Sequence, residues 1–184
     1  MKKGGAGGGN TITGLAFERK TDISALFKSI KGYATERTAN GAGYKVYYEG
    51  EEVARCFQKN AFYRFLEEFG INWKEYLSAK LLPDNGLFLI ARDTLFIVEV
   101  KYQEVGGSVD EKLQTCDFKR KQYAKLVRPL NWFVEYIYIL NDWFKNPRYK
   151  DTLDYICSMN CRYFFNEIPI RWFGLPSPEE RKEK

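Results

Sequence analysis

The chain has 184 residues, 29 Lys+Arg against 24 Asp+Glu, and no histidine. Such a length fits one domain with a substantial core, and the missing histidine excludes His-based nucleophilic triads, His-ligated metal nucleases, HExxH metalloproteases and haem on an axial His. A net charge of +5 permits an anionic partner without requiring one.

The first nine residues, MKKGGAGGG, are low in complexity and read as a flexible Gly-rich N-terminus (1–9). Residues 4–11 have the length of a phosphate loop, but Asn10 stands where the lysine belongs and no apolar strand precedes it, so no nucleotide cofactor is expected. Asn10 or Thr13 can cap a helix running through residues 15–30. Residues 31–43, rich in Gly, Thr and Asn, read as a loop. Residues 44–48 and 53–57 read as a hairpin. A helix over 60–69, stopped by Gly70, precedes a short one over 73–79.

Two apolar, β-prone runs follow, 87–91 and 95–102, with a tight turn at Arg92-Asp93. Ser108-Val109-Asp110-Glu111 is a capping box, which opens a helix to about Val127. Residues 132–140 form a buried strand, 151–159 a helix and 162–165 a strand. The end, 176–184, is charged and reads as a disordered tail. The elements therefore describe one α/β domain over residues 10–175.

No apolar leader follows Met1-Lys2-Lys3, and the run 132–140 is too short to cross about 30 Å of hydrocarbon. A cytoplasmic protein without a membrane partner is expected. Cys56, Cys116, Cys157 and Cys161 are too few and too scattered for a disulfide scaffold. Cys157 and Cys161 can share a helix face, yet zinc needs two further ligands, and buried free thiols are expected instead.

The chemistry concentrates in residues 83–103, PDNGLFLIARDTLFIVEVKYQ. Glu99 and Lys101 alternate onto one face of a strand. A hairpin turning near Arg92 brings Asp84 level with residues 99–101. Two carboxylates and a lysine thus converge at one sheet end. Close carboxylates repel and need a cation. An oxygen-only donor set suits Mg²⁺, with Mn²⁺ as a substitute, rather than zinc. Lys101 is placed to orient an attacking water, and such a site suits phosphodiester hydrolysis. Taken singly, Pro83-Asp84 is a turn opener and Glu99-Val100-Lys101 a solvated strand end. At this spacing, flanked by Leu-Phe-Leu-Ile and Leu-Phe-Ile-Val, the functional reading prevails.

These residues resemble the PD-(D/E)XK nuclease superfamily, whose pattern is Pro-Asp, a strand, a turn, and a second strand ending Asp/Glu-x-Lys. The resemblance spans most of the chain, because the superfamily's order of helix, three antiparallel strands, helix and strand maps onto residues 13–140. It implies a restriction-endonuclease-like fold, a mixed β-sheet flanked by helices. By the same resemblance Asp84, Glu99 and the Val100 carbonyl hold the metal, and Lys101 orients the water. Glu18, on the segment before the sheet, supports the metal or the lysine.

Gln103 matches a further polar position of the motif, or else is a solvated strand-end amide. Lys119, Lys121 and Lys125, on the helix after the motif, are candidate phosphate contacts. The implied activity is that of a Mg²⁺-dependent endonuclease acting on double-stranded DNA, similar to a small Type II restriction endonuclease of a restriction-modification system. Cutting both strands implies a two-fold homodimer. The alternatives are a repair or recombination nuclease of the same fold and a non-catalytic DNA-binding subunit.

Overall fold

The computed structural model describes residues 14–17, 22–104 and 109–178. Its elements, in chain order, are strand β1 (Gly14–Ala16), helix α1 (Ile23–Lys28), strands β2 (Tyr33–Arg37), β3 (Tyr44–Tyr48) and β4 (Glu51–Phe57), helix α2 (Asn60–Glu67), and strands β5 (Asn85–Leu89) and β6 (Thr94–Lys101). Helices α3 (Val109–Leu113) and α4 (Cys116–Val127), strand β7 (Phe133–Leu140), helix α5 (Lys150–Ser158), strands β8 (Arg162–Phe165) and β9 (Glu167–Pro169), and helix α6 (Ile170–Phe173) complete it. Short 3-10 turns lie between several of these.

Seven strands form one mixed sheet in the order β2-β3-β4-β5-β6-β7-β8. Strands β2 to β6 are an antiparallel meander. Strands β6, β7 and β8 then run parallel, which requires crossovers, and α3–α4 and α5 supply them. The chain is thus mixed α/β, a sheet flanked by helices, as its element order led us to expect.

Alternation along the central strands divides the interior into two cores. Leu95, Ile97, Tyr136, Tyr138 and Leu140 face one side, against α2, α4 and α5. Phe96, Val98, Ile137 and Ile139 face the other, against α1, α6, Leu15 and Ile168. Helix α2 shows how the pattern works: Phe62, Phe65 and Leu66 are buried, while Arg64 and Glu67 are exposed on the opposite face.

The structure departs from the sequence reading at several points. Leu15 and Ala16, expected to be helical, belong to a strand paired with β9, Leu15 opposite Ile168. That long-range pairing overrides local helix propensity, and α1 starts only at Ile23, capped by Asp22, whose side chain accepts from the Ser24 N–H at 2.8 Å. Asn10 and Thr13, like the glycines of 1–9, lie outside the described residues. The expected loop 31–43 contains β2, an edge strand made possible by its ladder to β3. The expected helix over 73–79 is one 3-10 turn, Trp73–Glu75. The single helix expected up to Val127 is broken in two. The Lys112 carbonyl accepts from the Thr115 hydroxyl at 2.7 Å and the Tyr138 hydroxyl at 3.1 Å, side-chain bonds that end the first helix.

The beginning of the expected tail is packed: the Pro176 carbonyl accepts from the Tyr33 hydroxyl at 2.6 Å, and Ser177 is buried. Residues 179–184 lie outside the described residues. Cys157 is exposed, whereas Cys56, Cys116 and Cys161 are buried free thiols, and α5 ends at Ser158, before Cys161, so Cys157 and Cys161 do not share a helix face. Among the described residues no helix is long and apolar enough to cross a membrane.

Candidate functional site

The Pro83-Asp84-Asn85-Gly86 turn enters β5, and the β5–β6 ladder ends at Asn85 opposite Val98. Asp84 therefore lies just beyond the last pair, at the level where β6 continues into Glu99, Val100 and Lys101. On β6 the odd residues Leu95 and Ile97 face the α4 side of the sheet, and alternation carries Glu99 and Lys101 onto that same face.

The lysine joins the two carboxylates. Lys101 Nζ lies 3.1 Å from Glu99 Oε2 and 3.4 Å from Asp84 Oδ2. A second cation comes from α4: Lys119 Nζ lies 3.0 Å from Glu99 Oε1 and 2.9 Å from Oε2. Glu99 is the buried centre of this cluster, its side chain 7% exposed, against 44% for that of Asp84. Beneath it stands a layer of buried tyrosines, Tyr123, Tyr136 and Tyr138. The Tyr136 hydroxyl lies beside Glu99 yet lacks a well-aligned hydrogen bond.

Burial alone would raise the Glu99 carboxyl, but Lys101 and Lys119 overcome it and hold the group below its ordinary range. Burial would likewise lower the Lys101 ammonium, and Glu99 and Asp84 overcome it and hold it raised. Glu99 and Lys101 are thus each held in the charged form by their partners. The Tyr136 hydroxyl is pushed up, first by burial and then by the Glu99 charge, and stays neutral.

Asn85 fixes the position of the turn. Its buried side-chain oxygen accepts from the Ile23 N–H at 3.1 Å and from Gln58 Nε2 at 2.9 Å. The start of α1, the end of β4 and the residue after Asp84 are thereby tied together. Gly86 follows because the Phe57 ring lies against it: a Cβ there would come within 2.1 Å of Cε2.

Asp84, Glu99 and Lys101 come together as the hairpin argument anticipated, with Val100 half-buried between the latter two. Glu18 lies outside the described residues. Its neighbourhood is partly anchored, since the Tyr102 hydroxyl donates to the Phe17 carbonyl. Gln103 is not a solvated amide: it is buried, and its backbone N–H and C=O are both held by the Asn141 side chain, at 3.2 and 2.8 Å.

Of the lysines expected to face phosphates, Lys119 is turned into the cluster instead. Lys121 pairs with Asp117 at 2.6 Å, and Lys125 reaches Gln122 at 3.5 Å. The role of Lys119 had a signal in the sequence. It falls three residues after Cys116 and four before Tyr123, on the buried stripe of α4. A lysine on an apolar stripe needs a buried anion, and Glu99 is that anion.

Among the described residues no three His, Cys, Asp or Glu side chains converge as a metal-holding group. Asp84 and Glu99 supply two carboxylates, and Val100 lies between Glu99 and Lys101 on the strand. This all-oxygen set fits a hard divalent cation that keeps much of its own water and takes one or two protein carboxylates. A cation on Glu99 would take the place that Lys119 holds. The combination of a shielded carboxylate, a half-exposed one and a lysine between them can bind a divalent cation and orient a water beside it. Comparison with family models, curated proteins and solved structures returns no match for this chain.

Proposed function

We propose that the chain is a Mg²⁺-dependent endonuclease that hydrolyses phosphodiester bonds of double-stranded DNA and works as a homodimer with one site per copy. The observation behind this reading is the single ammonium of Lys101 set between Asp84 and Glu99 at the end of β6. The motif resemblance of residues 83–101 points the same way.

Asp84 and Glu99, with the Val100 carbonyl, would hold the cation, and Mn²⁺ would substitute for Mg²⁺. When bound, the cation supplies Lewis acidity toward the scissile phosphate. Lys101 orients the water that attacks phosphorus and offsets charge building on the phosphate oxygens. The bond to the leaving sugar oxygen breaks as the new bond from water forms. Lys101 and Lys119 together keep Glu99 ionised in the cation-free protein.

Supercoiled plasmid incubated with Mg²⁺ or Mn²⁺ tests the proposal. Wild-type protein should linearise or fragment it, and Asp84→Ala or Lys101→Ala should abolish cleavage. Discrete fragments would assign a sequence-reading restriction activity. Cleavage confined to branched, nicked or single-stranded substrates would assign a repair activity on the same site. Wild-type protein inert on every DNA form with both metals would overturn the reading.

A further inference from the structure

The outer face of α4 forms a second feature, distinct from the acidic cluster. Lys121, Lys125 and Arg128 fall at i, i+4 and i+7 and so share one face. They line a cavity of about 640 Å³ together with Asn131, Trp132 and Phe133, and among the described residues no carboxylate lines it. Lys125 and Arg128 also border a neighbouring cavity of about 630 Å³ that includes Tyr76 and Glu75. Asp117 engages Lys121. Among the described residues no acid pairs with Lys125 or Arg128, so the surface keeps unneutralised positive charge.

Two exposed aromatic rings bracket these cations. Phe133 is 71% exposed and Phe118 is 60% exposed, far more than a core-forming ring. Trp132 lines the same cavity as Phe133 and is fixed by Phe88 at 4.0 Å and Phe69 at 4.8 Å between ring centroids. Phe118 immediately precedes Lys119, which holds Glu99. The face therefore starts beside the candidate site and runs about 15 Å along the helix, at 1.5 Å per residue.

A row of cations flanked by exposed flat rings is what an unpaired nucleic-acid strand requires. Phosphates go to the cations and base faces stack on the rings. A duplex hides its base faces against one another, so it would leave Phe118 and Phe133 unused. We propose that α4 and the start of β7 form a track for single-stranded nucleic acid, with Lys121, Lys125 and Arg128 taking phosphates and Phe118 and Phe133 stacking bases. The direction of the track, leading out of the Asp84–Glu99–Lys101 site, rests on the nuclease reading; the binding itself does not.

The test is fluorescence anisotropy of a labelled oligothymidylate of about 12 nucleotides, a length within the range such surfaces occupy, with the full chain in EDTA. Phe133→Ala should weaken binding by roughly fivefold or more, the loss of one stacked base at about 1–3 kcal/mol. Phe133→Trp should restore it. Lys125→Ala with Arg128→Ala should flatten the log–log salt dependence by about 0.7 per phosphate contact removed. Circular dichroism confirms folding of each variant, and the lysine–arginine pair reads the track if Phe133→Ala fails to fold.

Unchanged oligonucleotide affinity in these variants would overturn the proposal. So would equal weakening of a blunt duplex by Phe133→Ala, or a self-associating protein that Phe133→Ala dissociates without altering oligonucleotide binding. Phe133-dependent binding in a chain that cleaves no plasmid would overturn only the nuclease reading. Plasmid cleavage with Phe133-independent binding would overturn only the track.

Discussion

Lys119 of α4 grips Glu99 of β6 through both carboxylate oxygens, at 3.0 and 2.9 Å, across the interface between helix and sheet. The bond has a packing role as well as an electrostatic one, because it docks the first turns of α4 over the tyrosine layer. Lys119→Met should remove it while keeping the stem's contacts. Glu99 would retain Lys101, so the cost should be about 1.5–3 kcal/mol, that of hydrogen bonds to a charged group. A carboxylate left without any cation would cost more. Urea denaturation measures the loss, and an NMR titration of the Glu99 side chain should show its pKa rising. An unchanged urea midpoint would mean that the pair adds nothing to folding.

Acid and alkali should act on this cluster from opposite sides. Glu99 has a folded pKa below its ordinary 4.5, so its stabilisation is complete above that pH and is lost as pH falls through the folded value. Lys101 has a folded pKa above its ordinary 10.5, so its stabilisation is complete below that pH and is lost as pH rises through the folded value. Thermal midpoints recorded against pH should therefore form a plateau with a falling acid limb. Glu99→Gln should lower the plateau and make the acid limb shallower. An acid limb as steep in Glu99→Gln as in the wild type would place the acid sensitivity elsewhere.

The turn that presents Asp84 depends on a missing side chain. Gly86→Ala should push the new methyl into the buried ring of Phe57 and destabilise the fold by about 1–3 kcal/mol through overpacking. The double variant Gly86→Ala with Phe57→Leu should recover part of that loss, because the shorter side chain makes room. Thermal melts of the single and double variants check this, and additive losses would show that the two positions do not share space.

The convergence of Asp84, Glu99 and Lys101 was legible in the sequence because it needs only two local rules. Strand side chains alternate with period two, and a hairpin with a tight turn sets its own register. Features missing from the sequence reading depend on partners far along the chain. Leu15 belongs to a strand because Ile168 lies opposite it, which no window around residue 15 reveals. Gln103 is buried because Asn141 closes over its backbone. Lys119 was read by its charge as a phosphate contact, although its place on the buried stripe between Cys116 and Tyr123 marked it as an internal ion. The break before α4 was hidden because Thr115 competes for a carbonyl through its side chain, a choice that helix periodicity does not register.

The pairing of β1 with β9 also governs how the molecule is assembled. The two strands are separated by nearly the whole described chain, so their ladder carries the largest loop-closure cost in the fold. It should close late, after the seven-strand sheet is built. During synthesis β1 emerges before the seven-strand sheet and waits without its ladder partner until that sheet has been made. The segment Gly14–Ala16 is thus fastened last, and losing β9 would release β1 from its only ladder among the described residues.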